Sequence, residues 1–366
     1  MSVVQRAPAH IRAISPYVPG KPVGELAREL GLDAAGIVKL ASNENPSGMS
    51  PRARAAVAAA LEDSARYPDG SGFELKQVLA TRLGVEQASL LLGNGSNDIL
   101  ELVARTFLGP ETSAVYAQYA FAVYALAVKA VGARGIEVPA RAWGHDLAAM
   151  ADAITTDTRV VFIANPNNPT GSFLPAHLLE AFLMRMPAHV LVVLDEAYNE
   201  YLPPALRYDS LSWLAQFQNL LVVRTMSKIH GLAGLRVGYA VGSPAVVDLL
   251  DRVRQPFNVN SLAQAAAAAA LEDEEFVRRS HELNRAGMAQ ILSGLRELNL
   301  ESIPSQANFI SFRVGDAAAV NRSLLQQGVI VRPLSSYGMP EWLRVSIGLS
   351  AENTRFLEAL AVALKG

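Results

Sequence analysis

Short apolar runs punctuate the middle of the chain. Residues 160–163, 190–194, 220–223 and 237–241 are almost free of polar interruption. That is the pattern of strands covered on both faces in a parallel sheet, not of strands with one wet face. Helical patterns alternate with them, for example over 145–154 and 175–186, so the order reads as βαβ units of a large α/β domain. Beyond Pro256 the character changes. The stretch 261–271 is rich in alanine, the best helix former, and predicts a close-packed helix. A long helical pattern follows over 276–298. The chain then predicts strand 308–313, helix 317–327, strands 329–332 and 343–347, and helix 351–364. This is the order of a smaller α+β domain. Near the start, Ser15-Pro16-Tyr17-Val18-Pro19-Gly20-Lys21 has two prolines and a glycine, which hold a chain extended or turned. The expected organisation is an arm, or part of the smaller domain, over 1–44, a large domain over 45–260 and a smaller one over 261–366.

Length supports this division, since 366 residues exceed one domain of about 150. An apolar share of 51% against 18% charged places the chain among folded globular proteins rather than disordered ones. The net charge of −2 gives no electrostatic reason for a nucleic-acid partner. With no cysteine, disulfides, thiolate metal sites and a cysteine nucleophile are all excluded. The six histidines, His10, His145, His177, His189, His230 and His281, lack metal-ligand spacing. Residues 1–12 carry no apolar core of signal-peptide length, and the longest uncharged apolar stretch, 113–128, is interrupted by Gln118. It falls short of the roughly 18–20 residues a membrane span needs. The expectation is a cytoplasmic protein with small-molecule partners and no membrane contact.

Four segments carry candidate chemistry, each at the end of a predicted strand, where open α/β sheets place ligands. The first is Leu92-Gly93-Asn94-Gly95-Ser96-Asn97-Asp98 before a helical pattern. Glycines there let backbone N–H groups and a helix dipole face an anion, although a plain N-capped turn would leave the same residues. The second is Asn165-Pro166-Asn167-Asn168-Pro169-Thr170-Gly171, whose prolines stiffen the loop and pre-position a side chain, although in isolation it reads first as a plain turn. The third is Val193-Leu194-Asp195-Glu196-Ala197-Tyr198, a carboxylate at a buried strand end that needs a partner or serves as a helix cap. The fourth is Arg224-Thr225-Met226-Ser227-Lys228, followed by glycine-rich chain to Arg236. A lysine desolvated at such a place would have a depressed pKa and could act as nucleophile and base, although a solvated lysine capping the strand would leave the same residues. Arg236 adds a fixed charge suited to a phosphate.

These segments, with Leu40-Ala41-Ser42-Asn43-Glu44-Asn45-Pro46, Arg66-Tyr67-Pro68-Asp69-Gly70, Gly328-Val329-Ile330-Val331-Arg332-Pro333 and Leu343-Arg344-Val345, resemble the histidinol-phosphate aminotransferase family. That family lies within the fold-type I pyridoxal-phosphate-dependent transferases, and the resemblance runs along nearly the whole chain. It implies a large domain with a mostly parallel central sheet, a smaller C-terminal domain and an N-terminal arm. It also implies pyridoxal 5'-phosphate held by Lys228 as a Schiff base, with Asp195 on the ring nitrogen and Tyr198 and Asn168 on the ring oxygen. Phe121 would stack on the ring. Ser96, Asn97, Thr225, Ser227 and Arg236 would hold the phosphate. Tyr67 would reach that phosphate from the second subunit of a homodimer with shared active sites. Arg344, Arg332, Asn43 and, from the partner's arm, Tyr17 would meet substrate.

The implied reaction transfers an amino group between L-histidinol phosphate and 2-oxoglutarate. Two alternatives stay open on sequence: transamination of phenylalanine and tyrosine, and decarboxylation of a phosphorylated amino acid with the same lysine and aspartate.

Overall fold

In the computed structural model, which describes residues 2–17 and 19–365, the apolar runs pair much as their pattern predicts. The strands are β1 (Val38–Lys39), β2 (Leu90–Gly93), β3 (Ser113–Ala117), β4 (Arg134–Val138), β5 (Thr158–Ala164), β6 (Leu191–Asp195), β7 (Leu220–Thr225) and β8 (Gly238–Gly242), then β9 (Phe309–Arg313), β10 (Val329–Ile330), β11 (Arg332–Pro333) and β12 (Trp342–Ser346). Seven of them form the main sheet in the order β2-β8-β7-β6-β5-β3-β4. Strands β3 to β7 are parallel to their neighbours among themselves. The run 237–241, expected as another parallel strand, becomes β8 and is antiparallel to both β7 and β2. The reason lies in its connection. Residues 226–237 contain only a short 3-10 turn and no crossover helix, and a parallel pair needs such a crossover.

Strands β5, β6 and β7 are buried on both faces, and their side chains join one large core with the helices Ser96–Phe107, Ala122–Ala130 and Ala176–Arg185. Burying a Val, Leu, Ile or Phe side chain contributes about 1.5–3 kcal/mol, so this sheet is a rigid floor. Its strand ends line up, with Ala164 beside Asp195 and Asp195 beside Val223.

A second core gathers Ile291, Leu295, Phe312, Leu343, Val345 and Phe356 around the antiparallel sheet β11-β12-β9. The predicted strand 329–332 splits at Val331. Its first half, β10, pairs in parallel with β1, and its second half, β11, pairs with β12. The N-terminal segment is thereby part of this second layer. The alanine-rich helix Ser261–Leu271, expected with the smaller domain, packs instead in a cluster with Leu75, Leu79, Leu90 and Val241 beside the main sheet. Small side chains allow it to lie close against the helix Pro51–Ala60. The following helix, Glu274–Glu297, crosses to the second core.

Candidate active site

Between the aligned strand ends of the main sheet and the face of the small sheet lies a cavity of about 520 Å³. Its floor carries Asp195, the last residue of β6 and only 5% exposed. Its carboxylate accepts from the Tyr124 hydroxyl at 2.8 Å on Oδ2 and from the Ala197 N–H at 3.1 Å on Oδ1. Burial pushes its pKa up to about 6, while these donors and the nearby Lys228 pull the other way.

Lys228 follows β7, where Met226 and Ile229 anchor the backbone in apolar surroundings. Its side chain reaches the cavity, but the amine is desolvated, and among the described residues its one acceptor is the Ser42 carbonyl at 3.4 Å. Burial first, then the Arg344 cation, lowers its pKa to about 8. A useful fraction of neutral amine therefore exists near neutral pH. Tyr198 is buried beside it, with the Lys228 nitrogen 5.5 Å from the ring centroid. Its hydroxyl accepts from Asn43 Nδ2 at 2.9 Å, and burial pushes its pKa up to about 12.

At one end the helix Ser96–Phe107 points its N-terminus into the cavity with no side chain capping it. Glycines make room there. A Cβ at Gly95, where φ is +79°, would meet the Arg236 guanidinium at 2.5 Å, and one at Gly238 would meet the Ser96 nitrogen at 2.7 Å. Arg236 donates to the Ala233 carbonyl at 2.9 Å and pairs with no carboxylate among the described residues. Free helix N–H groups beside an unpaired arginine make an anion cradle.

The opposite end is also cationic. The register of β11 and β12 sets Arg332 directly against Arg344, and like charges directly opposite are destabilising in a sheet. Arg344 is held by the Asn168 side-chain oxygen and by the Ala41 carbonyl at 2.8 Å, with its Nε left without a partner. Arg332 is 7% exposed and forms no hydrogen bond or ion pair among the described residues; its guanidinium lies 5.3 Å from the centre of the Tyr17 ring. Two buried guanidiniums that no carboxylate among the described residues answers could together hold an anion.

All the residues expected at the site except Tyr67 line this cavity. Tyr67 is 83% exposed and stacks on Phe257 at 4.9 Å, outside the cavity of its own chain. Tyr17, expected to arrive from a partner's arm, lies instead in the cavity of its own chain. Gly20, which lets the arm approach Ala41 closely, brings it there, and the Arg332 cation holds its ring. Asn43, expected to meet substrate, spends its amide on Tyr198 and its carbonyl oxygen on the Ser346 hydroxyl. Sequence reading passed over Tyr124. The signal was its position three residues after Phe121, in the first turn of the helix that Phe121 precedes.

The family profile described as "Aminotransferase class I and II" matches residues 35–360. The chain belongs to the class I and II aminotransferases. The "Histidinol-phosphate aminotransferase 2" of Nitrosospira multiformis is 62% identical over 366 residues, covering 100% of this chain and 93% of that protein. The "Histidinol-phosphate aminotransferase 1" of Thiobacillus denitrificans is 63% identical over 358 residues, covering 98% of this aminotransferase and 93% of the relative. The crystal structure of histidinol-phosphate aminotransferase from Sinorhizobium meliloti in complex with pyridoxal-5'-phosphate superposes with a TM-score of 0.89 at 28% identity, covering 98% of each chain. Fold and class are thus those the sequence resemblance implies.

Proposed function

We propose that this aminotransferase uses pyridoxal 5'-phosphate to move an amino group between L-histidinol phosphate and 2-oxoglutarate, giving imidazole-acetol phosphate and glutamate. The observation that carries the substrate is the pair Arg332 and Arg344, two buried cations that meet no carboxylate among the described residues. A single carboxylate needs one bidentate guanidinium, whereas a phosphate near dianionic charge uses both.

The residues fit the cofactor. Its phosphate suits the uncapped helix end at Ser96 and Asn97, together with Arg236, Thr225 and Ser227. Phe121 offers a ring face at the cavity wall. Lys228, with its lowered pKa, is the covalent anchor and afterwards the base that carries a proton at the substrate Cα. Asp195 holds a proton on the ring nitrogen, and Tyr198 and Asn168 donate toward the ring oxygen. Bound there, the cofactor supplies an electron sink for charge developing at Cα and carries the amino group between half-reactions. Asn43 orients the Tyr198 hydroxyl from behind.

We also infer a homodimer in the cytoplasm, with the exposed Tyr67 of each chain completing the partner's phosphate site. The stacked, exposed pair Tyr67 and Phe257 supports this reading. No helix among the described residues is long and apolar enough to cross a membrane.

The test is a side-by-side measurement of kcat/KM for histidinol phosphate, phenylalanine, tyrosine and threonine phosphate. The proposal requires histidinol phosphate to lead. A higher value for phenylalanine or tyrosine would transfer the assignment to aromatic transamination, and release of carbon dioxide from threonine phosphate would transfer it to decarboxylation.

A further inference from the structure

The first turn of the helix Ala122–Ala130 brings Tyr124 to the wall of the cavity, next to the carboxylate on its floor. Its ring is fully buried, lying parallel to Phe162 of β5 at 4.9 Å and 8°, and edge-on to Phe121 at 5.9 Å and 89°. These contacts fix the ring plane and leave the hydroxyl one direction, onto Asp195 Oδ2 at 2.8 Å. The Ala197 N–H restrains Oδ1 at 3.1 Å from the other side. The carboxylate is therefore held at both oxygens.

We propose that Tyr124 is a positioning residue for transamination, its hydroxyl fixing the Asp195 carboxylate, in ionised form, toward the ring nitrogen of the cofactor. This rests on the reading above in which Asp195 meets that nitrogen. A phenylalanine would satisfy the stacking equally well, so packing alone does not account for the hydroxyl. A carboxylate this buried is costly to keep charged, and hydrogen bonds to the charged form are what lower that cost. The ionisable groups facing Asp195 are Tyr124, Lys228, Glu196 and Tyr198. Lys228 and Tyr124 favour its charge, and Glu196 opposes it. Burial and the Asp195 charge both drive the Tyr124 phenol well above its ordinary pKa, so the proton stays on the donor throughout the neutral range.

The experiment compares purified wild-type, Tyr124→Phe and Asp195→Ala proteins, each as holoenzyme and after removal of pyridoxal phosphate. The phenylalanine variant should bind pyridoxal phosphate about tenfold more weakly, equivalent to about 1.4 kcal/mol. The pH midpoint of the bound cofactor's visible absorbance change should rise, and kcat should fall with little change in KM for the amino donor. An unchanged midpoint and unchanged affinity, with only a lower melting temperature, would show that Tyr124 merely packs and would overturn the proposal. If Asp195→Ala alters the absorbance and Tyr124→Phe does not, the positioning role alone falls. If neither alters it, the role of Asp195 fails and this proposal fails with it. Should the phenylalanine variant fold poorly, 3-fluorotyrosine at position 124 changes the acidity of the phenol and keeps its shape. A shifted absorbance midpoint then supports the role, and an unmoved one overturns it.

Discussion

Replacing Arg332 with alanine separates a substrate-reading arginine from a structural one. The side chain is 7% exposed, makes no ion pair among the described residues and faces Arg344 across the β11–β12 pair. Its loss therefore strands no carboxylate. What the folded protein forfeits is a cation–π contact with Tyr17, about 0.5–1 kcal/mol. Removing a like charge beside Arg344 offsets part of that, and the same neighbour already lowers the Arg344 pKa, after burial. Stability should stay within about 1 kcal/mol of wild type in urea melts. Catalysis should behave differently. Hydrogen bonds to a charged group contribute about 1.5–3 kcal/mol, so kcat/KM for histidinol phosphate should fall about 10- to 150-fold relative to the change for phenylalanine. Phenylalanine keeps its carboxylate contact through Arg344, which Asn168 and Ala41 hold in place. Equal losses on both substrates, or a protein several kcal/mol less stable with selectivity unchanged, would refute the assignment of Arg332 to the phosphate.

Borohydride reduction of the holoenzyme should add the cofactor mass to the peptide containing Lys228, and mass on any other lysine would end its assignment. Asp195 carries a raised pKa, about 6 against 3.8, so the native apoprotein binds the extra proton between about pH 4 and 6 and loses stability as pH rises through that window. At pH 7 the apo form of Asp195→Asn should accordingly be more stable than wild type, by up to about 3 kcal/mol from roughly two units at 1.36 kcal/mol each, with the gap closing below pH 4; an unchanged pH profile would contradict this account. Mixing inactive Lys228→Ala and Tyr67→Ala proteins should regenerate activity in hybrid dimers if Tyr67 serves the partner's site. Demonstrated subunit exchange without activity would exclude sharing.

The sequence carried most of the large sheet because strands buried on both faces must be apolar throughout, as at 160–163 and 190–194. Strand direction was less accessible. Nothing in 237–241 distinguishes parallel from antiparallel pairing; only the missing crossover helix decides it. The alanine-rich helix was legible as a helix but not as to its neighbour, because alanine fits any close partner. At the site, the residues proposed for the ring and the phosphate follow strand ends; local motifs pointed to the place, and the family resemblance supplied their roles. The location of Tyr17 and the contacts of Asn43 depend on residues 155 to 315 positions away, Tyr198, Ser346 and Arg332 among them, and no local pattern encodes such separations. Tyr124 escaped because a tyrosine in an apolar helix looks like core until its hydroxyl partner is known.

The pairing of β1 with β10 joins Val38 to Val329, 291 residues later in the chain (329 − 38 = 291). A ribosome makes the first of these strands long before the second. The main sheet, complete once β8 has emerged, can form while synthesis continues. The second layer has to wait, with β1 unpaired, until nearly the whole polypeptide is out, and the arginine pair arrives only then. A chain stalled after β8 would carry Lys228, Asp195 and the helix end at Ser96 without Arg332 or Arg344. The cavity itself closes only when the small sheet arrives, so the floor and the wall residues Phe121 and Tyr124 are made early and the enclosure that desolvates Lys228 comes last.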